Sequence, residues 1–208
     1  MSASGSELLL PPDLAAEMAE IYAALQADYE RVAGLIGLTC ADCPDNCCDS
    51  YFSHYTYCEW AFLWQGLREL DAATLADIEG RARAWREEAA RAVAAGERPQ
   101  IMCPLNEGGR CRVYAHRLLI CRSHGVPAVL VAPNGQTRRF PGCFRCQEQV
   151  DAKYARPEAA PAVDRTALFG RLARLEQRFL GDDRPRYPKL RLTIADMIAQ
   201  GPPRLPEV

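Results

Sequence analysis

The chain has 208 residues, 49% of them apolar and 25% charged, with a net charge of -2. Such a composition is ordinary for a globular protein, and the length lets one compact domain bury most of its apolar surface. A balance so near neutral gives no electrostatic reason to expect nucleic acid or an anionic membrane as partner.

No apolar run approaches the roughly eighteen residues that a membrane span needs. The opening Met1 to Pro12 lacks the basic stretch of a secretory signal. The expectation is a cytoplasmic chain with no membrane partner, where thiols stay reduced. Ten cysteines in that setting point to metal, with disulfides as the lesser alternative. Charge is unevenly spread: residues 1–37 are acidic and residues 165–208 basic, which suits either a partner surface or solvated helix faces.

In chain order, Leu14, Met18, Ile21, Leu25, Tyr29, Val32 and Ile36 recur every three or four residues and predict a helix over 13–36, with Asp13 as N-cap and Gly37 as stop. This helix delivers the chain to Cys40-Ala41-Asp42-Cys43-Pro44-Asp45-Asn46-Cys47-Cys48, four cysteines in nine residues. Tyr51 to Tyr57 reads as a short strand or extended loop. Thr56-x-x-Glu59 has the form of a capping box for a helix over 57–70, whose apolar side carries Trp60, Leu63, Trp64 and Leu67. Asp71 caps a third helix, ended by Gly96.

From Gln100 the texture changes to short pieces rich in Cys, Gly and Arg. Val126 to Ala132 reads as a strand, and the Asn134-Gly135 pair suits a type I′ hairpin turn. A return strand through Phe140 brings Cys143 back beside Cys121. The run 156–161 reads as a linker into a helix over 164–180, and Thr193-x-x-Asp196 caps a last short helix that stops at Gly201. The expected architecture is mainly α with a small β-hairpin and an irregular cysteine-rich, metal-binding core clasped by helices. Residues 1–155 form the cysteine-cluster domain with its N-terminal helix, and 156–208 a helical appendage packed on it.

Clustered thiolates in a reduced protein share a cation, because an unpaired thiolate is costly and a paired one is a strong ligand. Cys40/Cys43 and Cys143/Cys146 are both Cys-x-x-Cys pairs, a spacing that lets a tight turn aim two sulfurs at one metal. Neighbouring side chains diverge, so the Cys47-Cys48 doublet suits a polynuclear centre or two adjacent metals. The arithmetic favours more than one metal, and iron–sulfur is preferred over zinc although thiolates serve both.

Seven arginines (Arg110, Arg112, Arg117, Arg122, Arg138, Arg139 and Arg145) and the single acid Glu107 lie between Gln100 and Cys146. They offset the charge of a cysteinate centre, or they hold an anionic substrate or protein partner at segment 110–145. Asp42, Asp45 and Asp49 read as turn-formers, with iron ligation as the sharper alternative. Cys58 reads as a buried core thiol rather than a ligand. His54, His116 and His124 are scattered; His124, three residues past Cys121, is placed to ligate or to bond a sulfur.

The Cys40-x-x-Cys43-x-x-x-Cys47-Cys48 run, then Cys103-Pro104-Leu105, then Gly109-x-Cys111-x-Val113-Tyr114-x-x-Arg117-x-x-x-Cys121-Arg122, resembles the YkgJ-like family of zinc- or iron-chelating cysteine-cluster proteins, named for a CxxCxxCC signature. The resemblance covers about residues 38–146. It departs from the signature by one extra residue before the doublet and by Leu118 where the family has proline. It implies Cys40, Cys43, Cys47, Cys48, Cys103, Cys111 and Cys121 as metal ligands; Cys143 and Cys146 rest mainly on their spacing. Flagellin lysine N-methylases share the cysteine pattern, so an iron–sulfur-dependent redox or protein-modifying enzyme is the alternative function. Against it, no glycine-rich cofactor loop follows a strand. Zinc-dependent nucleic-acid binding has the Cys-x-x-Cys pairs in its favour and a pI near 6.0 against it.

Overall fold

The structure is a computed structural model that describes residues 6–39 and 47–205, of Cys47 the backbone alone. It is mainly α with a small hairpin. The helices are α1 (Pro12–Ile36), α2 (Tyr57–Arg68), α3 (Ala72–Ala94), α4 (Leu119–Ser123), α5 (Phe144–Lys153), α6 (Thr166–Leu180) and α7 (Ile194–Ala199). Short strands β1 (Asn106–Glu107) and β2 (Arg110–Cys111) pair antiparallel; β3 (Ala128–Val131), β4 (Thr137–Phe140) and β5 (Val163–Asp164) form a second sheet. Among the described residues no helix is long and apolar enough to cross a membrane.

The chain divides into two compact units, one of residues 1–16, 48–118 and 175–208, the other of 17–47 and 119–174. In the first, α2 and α3 supply Trp60, Leu63, Trp64, Leu67, Ile78, Ala82 and Trp85 to the core, and α7 adds Met197 and Ile198. The indole N–H groups of Trp60 and Trp64 both donate to the Met197 carbonyl at 3.0 Å, satisfying polar atoms that the core would otherwise strand. Arg86 of α3 pairs with Asp196 of α7 at 2.8 Å.

Local signals account for several helix ends. Asp71 accepts from the Thr74 N–H at 2.9 Å, and Thr193 and Asp196 form the reciprocal capping box. The predicted box at α2 does not form, for Thr56 makes no side-chain cap bond. Its hydroxyl donates instead to Glu59, and the N–H groups of Tyr57 and Cys58 go to the two carboxylate oxygens of Glu176, at 2.9 and 2.8 Å. A buried carboxylate takes both donors at once, and charge-assisted bonds of this kind outweigh a neutral hydroxyl. Asp13 likewise sits inside the first turn of α1 rather than at its cap, because Pro12 takes the first helical position, where a missing N–H costs nothing.

In the second unit, Met18, Ile21, Tyr22, Leu25, Val32 and Ile36 make the buried stripe of α1. Gly37, at φ 80°, closes that helix, and the Lys153 ammonium donates to the Ile36 carbonyl at its negative end. The sheet order is β4-β3-β5, antiparallel between β3 and β4 and parallel between β3 and β5, with Ala128 opposite both Phe140 and Val163. The β3–β4 turn differs from the expected type I′. The Ala132 N–H donates to Gln136 and the Gly135 N–H to Ala132, which closes a three-residue loop over Pro133, Asn134 and Gly135. Proline holds φ negative at the first loop position, and Gly135 supplies a positive φ at the last.

Candidate metal centre

Of the nine predicted ligands, Cys40 and Cys43 lie outside the described residues, as does the side chain of Cys47. None of the seven described cysteines is in a disulfide. Cys48, Cys103 and Cys111 belong to the first unit; Cys121, Cys143 and Cys146 belong to the second.

In the first unit the Cys103 N–H donates to the Cys48 carbonyl at 3.0 Å, which sets these two residues side by side. The strip before Cys103 is anchored twice: Trp85 donates its indole N–H to Ile101, and Gln100 donates to the Asp49 carboxylate, both at 3.0 Å. Tyr51 stacks on Trp85 with ring centroids 5.8 Å apart. Asp49 therefore ties the doublet's loop to the Cys103 segment, a role other than the turn-forming and ligating ones expected of it. Cys111 follows on the β1–β2 hairpin, opposite Asn106, where Gly108 and Gly109 both take positive φ as a two-residue type I′ turn requires.

In the second unit Cys121 stands on α4 and Cys143 precedes α5. The Cys143 N–H donates to the Gly125 carbonyl at 3.1 Å, so the segment after Cys121 lies against the start of α5. Only glycine allows this approach. A Cβ on Gly142 (φ 86°) would meet the Gly125 carbonyl oxygen at 2.6 Å. Cys146, three residues into α5, is fully buried, and burial with Cys143 beside it pushes its thiol up to about 11. Cys146 thus lies within electrostatic reach of the other sulfur of this Cys-x-x-Cys pair.

The expected convergence is resolved only as pairs: among the described residues no three of His, Cys, Asp and Glu sit together as a group able to hold one metal ion. Cys58 is a core thiol as expected, 0% exposed and raised well above the ordinary thiol range by burial and by Glu176 and Glu59. His116 packs on Phe62, ring centroids 4.5 Å apart, and presses against Gly66. His54 is 1% exposed, with neither ring nitrogen hydrogen-bonded.

The arginines of segment 110–145 divide by environment. Arg112 pairs with Glu107 at 2.8 Å, Arg117 lies over Tyr114, and Arg122 is buried over the Tyr22 ring at 4.6 Å. Arg138 and Arg139 are exposed on β4.

Two polar groups escaped the sequence reading, Glu176 and Arg165. Both sit on or just before a helix read only for its apolar stripe, and nothing local distinguishes them from surface charges. The donor set, reduced thiols in Cys-x-x-Cys spacing, has the chemistry of zinc and iron–sulfur sites. No protein-family model, curated protein or solved structure matches the chain.

Proposed function

We propose that this is a metal-binding cysteine-cluster protein whose thiolates hold an iron–sulfur centre or zinc, with iron–sulfur preferred for the Cys47-Cys48 doublet. The observation that carries the reading is the Cys143/Cys146 pair: two thiols on adjoining turns of chain, the fully buried Cys146 held protonated by its burial and by the Cys143 sulfur beside it. A cation between them reverses that effect, since a coordinated thiol loses its proton. The Cys48/Cys103 neighbourhood supplies a second pair, and Cys40, Cys43, Cys47, Cys111 and Cys121 complete the donor set. The resemblance to the YkgJ-like family supports the same assignment, and a reducing, cytoplasmic setting keeps the thiols available.

Anaerobic purification followed by analysis for iron, zinc and acid-labile sulfide identifies the metal. The Cys143→Ser/Cys146→Ser double variant is expected to lose bound metal, whereas Cys58→Ala keeps it. Full metal content in the double variant would refute the proposal.

A further inference from the structure

Arg165, between β5 and α6, is 6% exposed. Its Nη2 donates to the Ser123 carbonyl at 2.7 Å, and its guanidinium carbon lies 4.9 Å from the centre of the Phe140 ring. Its Nε has no hydrogen-bond partner, and its backbone N–H donates to Val129 at 2.9 Å. Ser123 is two residues past Cys121, and Phe140 is three before Cys143. One buried side chain therefore touches both segments that carry the second cysteine group.

Charge makes the placement more telling. The buried polar side chains described in this unit are Arg122, Ser123 and Arg165, and none is a carboxylate. A guanidinium held by a carbonyl and a ring face alone carries its desolvation cost uncompensated. A centre ligated by four thiolates, whether zinc or a cubane cluster, bears net negative charge and offsets it.

We propose that Arg165 is a positioning residue of the thiolate centre, tying the Cys121 segment to the Cys143 segment and countering the charge of the ligated metal. This inference rests on the metal-binding reading above. Arginine suits both tasks, because its plane stacks on Phe140 while its edge donates to Ser123, and lysine cannot do both.

The test is zinc titration of the metal-free full-length chain against a chromophoric chelator, paired with thermal melting of the same metal-free samples. Arg165→Met is expected to bind zinc about tenfold or more weakly, the usual cost of losing an outer partner of a metal ligand. Its metal-free melting temperature should match or exceed that of the parent, since an unpaired buried charge has gone. Arg165→Lys, which keeps the charge and loses the double contact, should fall between the two in affinity.

A purely structural role predicts the opposite pattern, in which affinity falls only as far as metal-free stability falls. That result, or unchanged zinc affinity in Arg165→Met, overturns the inference. Should the Met variant not fold, Arg165→Gln decides in the same way: weaker zinc binding at unchanged melting supports the assignment, and unchanged binding rejects it. The metal-binding reading fails separately, if the parent takes up no zinc or the Cys143→Ser/Cys146→Ser variant binds as the parent does, and this inference falls with it.

Discussion

His54 holds an imidazole in the interior of the first unit with neither nitrogen hydrogen-bonded, while its backbone is locked to Leu192 by bonds of 2.7 and 3.0 Å. Burial lowers its pKa below the ordinary 6.5, and the charge of Glu59 opposes that shift only in part. The folded chain therefore resists a proton that the unfolded chain accepts. The stabilising contribution is present above the unfolded value of about 6.5 and falls away as the pH drops below it. Urea midpoints should decline between pH 7.5 and 5.5, and in His54→Leu that decline should flatten; an equal decline in both proteins would show that His54 is not its source.

At the scale of elements, the second sheet depends on two glycines with the same backbone need and different neighbours. Gly135 and Gly142 both adopt positive φ, 80° and 86°. A Cβ on Gly135 would enter open space, whereas one on Gly142 would strike the Gly125 carbonyl. Gly135→Ala should cost about 1 kcal/mol, the conformational penalty alone. Gly142→Ala should cost roughly 2–3 kcal/mol, because backbone cannot step aside as a flexible side chain can. Chemical denaturation of the two variants reads the difference, and equal losses would mean that the Gly125–Gly142 approach is not tight.

Elements were legible in the sequence where their cause is local. Asp71 and the Thr193/Asp196 box act on N–H groups three residues away, so their meaning is written in the spacing. The cap of α2 is not, since its acceptor, Glu176, lies more than a hundred residues on. Pro133 moves the β3–β4 turn by one residue, and the β1–β2 hairpin leaves no period in the sequence because its strands are two residues long. Gly108-Gly109 was the available signal for it. Nine cysteines stand out in the sequence as candidate ligands, but which of the described ones lie together does not. Spacing joins Cys143 to Cys146, whereas only packing sets Cys103 beside Cys48.

On the scale of the molecule, the first unit is assembled from three distant stretches of chain. Glu176 anchors the start of α2 across 118 and 119 residues of sequence, and Met197 receives both indoles from the same helix. Replacing Glu176 by Ala strands two backbone donors in the interior and should lower the unfolding free energy by about 2–4 kcal/mol. Denaturant unfolding followed by tryptophan fluorescence reports it directly, as Trp60 and Trp64 lie in the affected helix. A loss below about 0.5 kcal/mol, within the range of surface changes, would show that water replaces the carboxylate.

Long-range pairings set the order in which the first unit can mature: Glu7 bridges to Arg204, and α2 rests on α7. Because α2 and α3 are made well before α7, the indoles of Trp60 and Trp64 lack their Met197 acceptor until translation has passed α7, and that apolar face is what a chaperone would meet on the nascent chain.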